Sequence, residues 1–183
     1  MVVVIEGIDG VGKTTLCEAL KKVLNSEMFG ADILYHKESA PGKSIVERFK
    51  RLATYDCCLN DNRIHIYDRV TIIDDFVYEP LFNEHESCFS LSPLCVLCIS
   101  EMLRRSLIIH LTAPVPLIEE RLSQRGDQYV TKSDIHAIRK LYNTFYERMH
   151  LRPRYVDSTD TDTAVQFCTE LISLYVKGVR NEN

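Results

Sequence analysis

The chain is 183 residues long with 45% hydrophobic residues, the size and composition of one globular domain with a substantial core. Its formal net charge of −4 argues against a protein that follows a nucleic-acid backbone, and no uninterrupted apolar stretch is long enough to span a bilayer. Small ligands are therefore expected rather than nucleic acid or a membrane, and a start without the basic and apolar regions of a signal peptide points to the cytoplasm.

Residues 2–5 form an apolar run that reads as a first strand, and residues 6–15, EGIDGVGKTT, follow it directly. They hold G-x-x-x-x-G-K-T ahead of an amphipathic segment in which Leu16, Leu20, Val23 and Leu24 recur at helical spacing. That is the strand-loop-helix context a phosphate cradle requires. Glycines at 7, 10 and 12 let backbone N–H groups turn inward around phosphate oxygens, and a helix starting near Thr14 adds the positive end of its dipole. Gly7, Ile8, Asp9, Gly10, Val11, Gly12, Lys13, Thr14 and Thr15 are accordingly expected to bind ATP. Lys13 should reach the outer phosphates, and the Thr14 hydroxyl should ligate Mg²⁺, the expected cofactor.

Residues 31–35 read as strand two, Pro41-Gly42 as a turn, and Ile45, Phe49 and Leu52 as one face of a second helix whose other faces carry Arg48, Lys50 and Arg51. Strand three, residues 64–67, delivers Asp68 and Arg69 at its C-terminal end, and a helix over residues 74–82 follows. Residues 88–103 are apolar without a clean period, with Pro93 placed to open a helix. Residues 107–111 read as buried strand four, followed by a Pro116-initiated helix to Gln124 and an exposed polar loop over residues 125–132. Ser133 is the expected cap of the next helix, whose apolar stripe is Ile135, Ile138, Leu141, Tyr142, Phe145 and Met149. A short strand at Tyr155-Val156 and a last helix through Tyr175 complete the pattern, with residues 178–183 expected to fray. Strands alternating with helices imply an α/β domain with a mainly parallel sheet covered on both faces, and ligands at the C-terminal edge of its strands.

Seven cysteines without an export signal suit free thiols. Cys88, Cys95 and Cys98 with the remote pair Cys57-Cys58 lack regular zinc spacing, and six scattered histidines show no ligand spacing, so buried thiols and structural His65 and His110 are expected.

In order along the chain, EGIDGVGKTT, KESAPG at residues 37–42, YDR at residues 67–69 and ERLSQRG at residues 120–126 resemble the motifs of the thymidylate kinases. The family usually has arginine-glutamate-proline-glycine where Lys37 to Gly42 stand here, and serines after its aspartate-arginine pair where Val70, Thr71, Ile72, Ile73 and Asp74 follow. The resemblance implies a three-layer P-loop kinase fold, a mainly parallel five-stranded sheet flanked by helices, as a single domain over residues 1–183 with a lid loop near residues 125–133. It also implies transfer of the ATP γ-phosphoryl group to a deoxynucleoside monophosphate, dTMP or a related pyrimidine, and a possible homodimer, for which apolar residues 88–103 are either an interface or part of the core.

The roles that follow are specific. Arg69 is the candidate clamp for the acceptor phosphate, because a guanidinium grips two phosphate oxygens at once. Asp68 orients that clamp or holds a Mg²⁺-bound water, Asp9 and Glu38 lie near the acceptor, and Phe49 on the second helix stacks on its base or joins the core. Arg121 and Arg125, four apart on one helical face, bring cations to the transferring group from the lid, and residues 158–162 contact adenine. A deoxynucleoside kinase is the nearest alternative, because its neutral 5′-hydroxyl acceptor needs a carboxylate base and Glu38 is a candidate for one. A nucleotide-driven binding switch is the other, and no guanine-reading N-K-x-D supports it.

Overall fold

Val2, Val3, Val4 and Ile5 have no solvent exposure, so the strand they form needs apolar cover on both faces. In the computed structural model, which describes residues 1–25, 33–38, 45–82, 93–126 and 130–181, that strand is the centre of the sheet. The elements run β1 (Val2–Glu6), α1 (Lys13–Asn25), β2 (Ile33–Lys37), α2 (Ile45–Leu59), β3 (Ile64–Asp68), α3 (Thr71–Phe82), α4 (Pro93–Arg104), β4 (Leu107–Thr112), α5 (Val115–Arg125), α6 (Lys132–Arg148), β5 (Arg154–Asp157) and α7 (Thr161–Asn181). The five strands lie in the order β2-β3-β1-β4-β5 and every pairing is parallel. The α/β expectation holds, with a sheet parallel throughout.

Parallel strands need crossover connections, and the helices that supply them flank the sheet, with α1 packed on α7 and α3 on α6. The register sets Ile5 beside Asp68, Glu6 beside His110 and Lys37 beside Asp68, so the ends of β1, β2, β3 and β4 share one edge. From β1 the chain passes to β2 and β3 on one side of it and then crosses to β4 and β5 on the other, which makes the end of β1 the switch point where such sheets bind ligands.

Several element boundaries differ from the sequence reading, each for a physical reason. α3 starts at Thr71 rather than residue 74, because Glu38 accepts from the Thr71 amide and so satisfies a first-turn donor. Thr131, not Ser133, caps α6: it forms a reciprocal capping box with Asp134. α7 continues through Gly178 to Asn181 where fraying was expected. Residue 31 of strand two, the Pro41-Gly42 turn, Cys88 and residues 182–183 lie outside the described residues.

The second helix departs furthest. Phe49 is 46% exposed, whereas Arg48, Tyr55 and Cys58 are buried, so the packed face is rotated from the predicted one. Arg48 tolerates this because its Nη1 lies 3.3 Å from Asp75 Oδ2 on α3. Removing one member of a buried ion pair strands the other charge in a low-dielectric interior, at about 3–5 kcal/mol. Arg48→Ala should lose that much in urea unfolding, and the Arg48→Met/Asp75→Leu double variant should recover most of it. Arg104→Ala, which removes an exposed pair with Glu101, should change little, and equal effects of the two alanine variants would refute the assignment.

Candidate active site

The loop between β1 and α1 wraps against the rest of the sheet edge. Gly7 has φ 139°, and a Cβ there would sit 2.7 Å from the Leu111 carbonyl oxygen on β4. Gly10 has φ 82°, and a Cβ would come within 3.0 Å of Leu122 Cγ and 3.3 Å of the Ile118 oxygen on α5. Both backbone angle and close approach therefore require glycine at these turns.

Lys13 opens α1 and is 5% exposed. Its Nζ donates to Gly7 O at 2.6 Å and Ile8 O at 3.0 Å, and lies 3.5 Å from Asp9 Oδ1. Burial pulls its pKa down, while Asp74, Glu6 and Asp68 oppose that shift. The neighbouring Thr14 hydroxyl donates to Asp68 Oδ2 at 2.6 Å, and the Tyr35 hydroxyl donates to the same oxygen at 3.0 Å. The two residues expected at the metal, Thr14 and Asp68, are thus in direct contact, and Thr15 beside them is exposed.

Beyond β3 the backbone makes an unusual turn. Arg69 has φ 76°, a left-handed conformation costing a non-glycine residue about 1–3 kcal/mol. Three hydrogen bonds fix it: Arg69 N donates to Ile5 O at 3.1 Å, Val70 N to Glu6 Oε1 at 2.8 Å, and Ile73 N to Val70 O at 2.9 Å. The turn sends the guanidinium back across the sheet edge. There Nη2 contacts Asp9 Oδ1 within the phosphate loop, and Nη1 lies 3.5 Å from Asp74 Oδ2. Glu6, fully buried, also has the Tyr142 hydroxyl 3.2 Å from Oε2. Burial, with Asp74 nearby, pushes the Glu6 pKa up to about 8 against the pull of the Val70 amide, Lys13 and Arg69. Burial raises Asp74 as well, opposed by Arg69 and Lys13.

Glu38 follows β2 and takes both Thr71 donors on one oxygen, N at 2.6 Å and Oγ1 at 2.5 Å. Arg51 Nη1 donates to the same Thr71 hydroxyl at 2.8 Å. On the other flank, Arg121 Nη1 lies 3.5 Å from Gly10 O and 3.3 Å from Val11 O, and its Nη2 donates to Ser158 O at 3.3 Å. The Ser158 hydroxyl reaches Val11 O at 2.6 Å and Thr112 O at 3.0 Å. Arg125 ends α5 exposed, one residue before the left-handed Gly126, and residues 127–129 of the expected lid lie outside the described residues.

The site therefore gathers Gly7, Ile8, Asp9, Gly10, Val11, Gly12, Lys13, Thr14, Asp68, Arg69 and Arg121, while Phe49 on α2 and Arg125 at the end of α5 are exposed. A cavity of about 390 Å³ opens beside the loop, with Ile8, Val11, Ala113, Arg139, Tyr155 and Asp157 in its wall. Sequence reasoning does not single out Glu6, Asp74 or Tyr142 as site residues. Only Glu6 leaves a trace in the sequence, as a charge closing an otherwise apolar strand.

No curated protein matches the chain by sequence. Among solved structures, the Bacillus subtilis YorR protein, determined in complex with phosphorylated GDP, is similar over 96% of this chain and 97% of its own, with 21% identity and a TM-score of 0.72. A deoxyadenosine kinase from M. mycoides, with products dCMP and a flexible dCDP bound, is similar over 94% of this chain and 99% of its own, with 16% identity and a TM-score of 0.58. A gluconokinase from Sinorhizobium meliloti 1021 is similar over 99% and 96%, with 12% identity and a TM-score of 0.53. At these identities the likeness is one of fold: a five-stranded parallel sheet flanked by helices, as in P-loop kinases. The family described as "AAA domain" matches residues 3–153, a span holding the phosphate loop, β3 with Arg69, and α5 with Arg121, and the chain belongs to that family.

Proposed function

We propose that this protein is an ATP- and Mg²⁺-dependent phosphotransferase that moves the ATP γ-phosphoryl group onto the 5′-phosphate of a deoxynucleoside monophosphate, dTMP or a related pyrimidine, giving the diphosphate. One observation carries the reading: Lys13 at the start of α1 and Arg69 in the loop after β3 converge on the same oxygen of Asp9. Two cations held together repel each other, and the intervening carboxylate keeps them in place. Phosphoryl oxygens offer the same pair of partners a substitute anion, and transfer is accelerated chiefly by such alignment and charge stabilisation.

Thr14 and Asp68 present hard oxygen donors side by side, which fit Mg²⁺. When bound there, the ion would neutralise charge on the outer phosphates of ATP. Arg121 holds the loop's carbonyl oxygens, so its part is to fix the cradle from behind. A monophosphate acceptor, with a second pKa of about 6, arrives largely dianionic and needs cations rather than a base. The carboxylates nearby are already committed: Glu38 Oε2 to two Thr71 donors, and Asp9 and Asp74 to Arg69. The choice of dTMP rests on the EGIDGVGKTT resemblance. A deoxynucleoside kinase is the second reading, favoured by the likeness in fold to the M. mycoides deoxyadenosine kinase.

One assay panel tests the proposal: Mg²⁺ and ATP with each deoxynucleoside and each deoxynucleoside monophosphate. A diphosphate from a pyrimidine monophosphate is expected; a monophosphate made from a nucleoside would transfer the assignment to the second reading, and ATP hydrolysis indifferent to both would end it. Lys13→Ala should lower kcat by about 10²–10³-fold. Arg69→Ala should raise the acceptor KM more than the ATP KM in a protein that still melts cooperatively; unchanged acceptor kinetics would remove Arg69 from the site.

Glu6 acts through Arg69, as the residue that holds its turn. The folded protein keeps a proton on Glu6 up to about pH 8 whereas the unfolded chain releases it near 4.5, so the native state binds more protons between those values and stability falls as pH rises through them. Glu6→Gln removes the titrating group and should flatten that decline in denaturant midpoints; parallel profiles for the two proteins would show Glu6 ionised throughout.

A further inference from the structure

A second cluster of chemistry lies away from the phosphate loop, between the sheet and α2. His36 on β2, Cys58 on α2 and His65 on β3 place one ligand atom each within 4.8 Å of one another. His36 Nε2 and His65 Nδ1 are 2.9 Å apart, with the two rings edge to edge and their planes 18° from parallel, and the Tyr67 ring stacks on His36 with centroids 4.4 Å apart. The Tyr67 hydroxyl donates to Cys58 Sγ at 3.3 Å. The other nitrogen of His65, Nε2, is buried 3.2 Å from Asp61 Oδ2 but off the line of a full hydrogen bond.

We propose that His36, Cys58 and His65 bind one Zn²⁺ ion, with water from the adjoining cavity as fourth ligand. Two imidazole nitrogens and a sulfur are a borderline-soft donor set that suits Zn²⁺ and not Mg²⁺ or Ca²⁺. Zn–N bonds of about 2.05 Å in a tetrahedron put two nitrogens about 3.3 Å apart, so the imidazoles need to part by a few tenths of an ångström and to tilt until their lone pairs, aimed along the line between the two nitrogens, converge on the ion. Half-buried His36 has room to do so, because it opens on a cavity of about 460 Å³ shared with Lys37, Glu38, Lys50, Arg51 and Tyr67. Asp61 Oδ2, which accepts from Arg63 Nε and Nη2, lies 3.2 Å from the far nitrogen of His65, the place of a carboxylate behind a zinc histidine. Burial lowers both histidine pKa values, which favours the neutral, ligating form.

On binding, the Cys58 thiol loses its proton to solvent and the sulfur bonds the metal as thiolate. The hydrogen shared by the imidazoles leaves their facing nitrogens, so His65 carries its hydrogen on Nε2 toward Asp61 and His36 carries its own on Nδ1. The ion ties together β2, α2 and β3, whose strand ends lead to Glu38 and Asp68. It does so independently of any reaction at the phosphate loop.

The test uses the full chain stripped by a chelator and titrated with Co²⁺. One equivalent should give tetrahedral visible absorption and a thiolate-to-cobalt charge-transfer band, both erased by Zn²⁺. Cys58→Ser should abolish the band, His36→Gln should weaken Zn²⁺ binding at least about 100-fold, and Asp61→Asn about 10–100-fold. Cys57→Ser, which alters the exposed neighbouring thiol, should keep the band. Zn²⁺ should raise the thermal midpoint of the wild type and Cys57→Ser but not of Cys58→Ser. A wild type without the band, or a band that survives Cys58→Ser or vanishes in Cys57→Ser, overturns the site, whatever the kinase assays give.

Discussion

The bond from the Val70 amide to Glu6 Oε1 is the constraint from which the site is built. It ties the loop after β3 to the end of β1, and so decides that Arg69 turns back over the phosphate loop instead of running out to solvent. A buried carboxylate is an expensive anchor, and charge bookkeeping shows how its cost is limited. Lys13 and Arg69 bring two positive charges; Glu6, Asp9 and Asp74 bring three carboxylates. With Glu6 holding its proton, as its raised pKa favours, the group balances. Asp68 is then left beside Thr14 as the local excess of negative charge, on the side where a divalent cation would complement it.

Backbone strain falls at the same place. Arg69 is one of two described non-glycine residues with positive φ, and it lies at the sheet's switch point. A cost of about 1–3 kcal/mol persists only where surroundings over-determine the backbone, and here three peptide N–H groups are spoken for within five residues. An extended Arg69 would relieve the strain at the expense of the Val70 bond and the Asp9 contact together.

The fold was legible because its signals are local. Apolar runs, the loop motif and the Ile135, Ile138, Leu141, Tyr142, Phe145 and Met149 stripe each stand within one segment, and all of those side chains are buried except Leu141, which is half-buried against the core. What escaped is set by contacts between segments. Arg48 reads as a surface residue until Asp75 comes to meet it from α3. His36, Cys58 and His65 have no ligand spacing in the sequence; the β2–β3 register, which sets Leu34 beside His65 and His36 beside Tyr67, brings the two histidines together, and α2 carries Cys58 to them. Of Arg121 and Arg125, which helical spacing puts on one face, Arg121 reaches the loop and Arg125 stands exposed at the end of α5.

The phosphate loop shows how a cradle of amides can be formed by pulling on the opposite ends of the peptides. Lys13 takes the oxygens of Gly7 and Ile8, Tyr142 lies 3.2 Å from Gly7 O, Arg121 takes those of Gly10 and Val11, and Ser158 takes Val11 O again. A trans peptide is planar, with its N–H pointing away from its C=O, so a carbonyl drawn toward the protein turns the next residue's amide hydrogen the other way, although the Val11 amide is taken within the loop by Ile8 O. The donors come from α1, α6, α5 and the segment after β5, four parts of the chain that meet only in the finished fold. Glycine permits the loop this shape, but permission is not specification: the side chains behind it select one arrangement among those glycine allows. Replacing Arg121 or Ser158 would therefore act on the direction of amides that neither residue touches, which is why neither need contact a phosphate to matter for holding one.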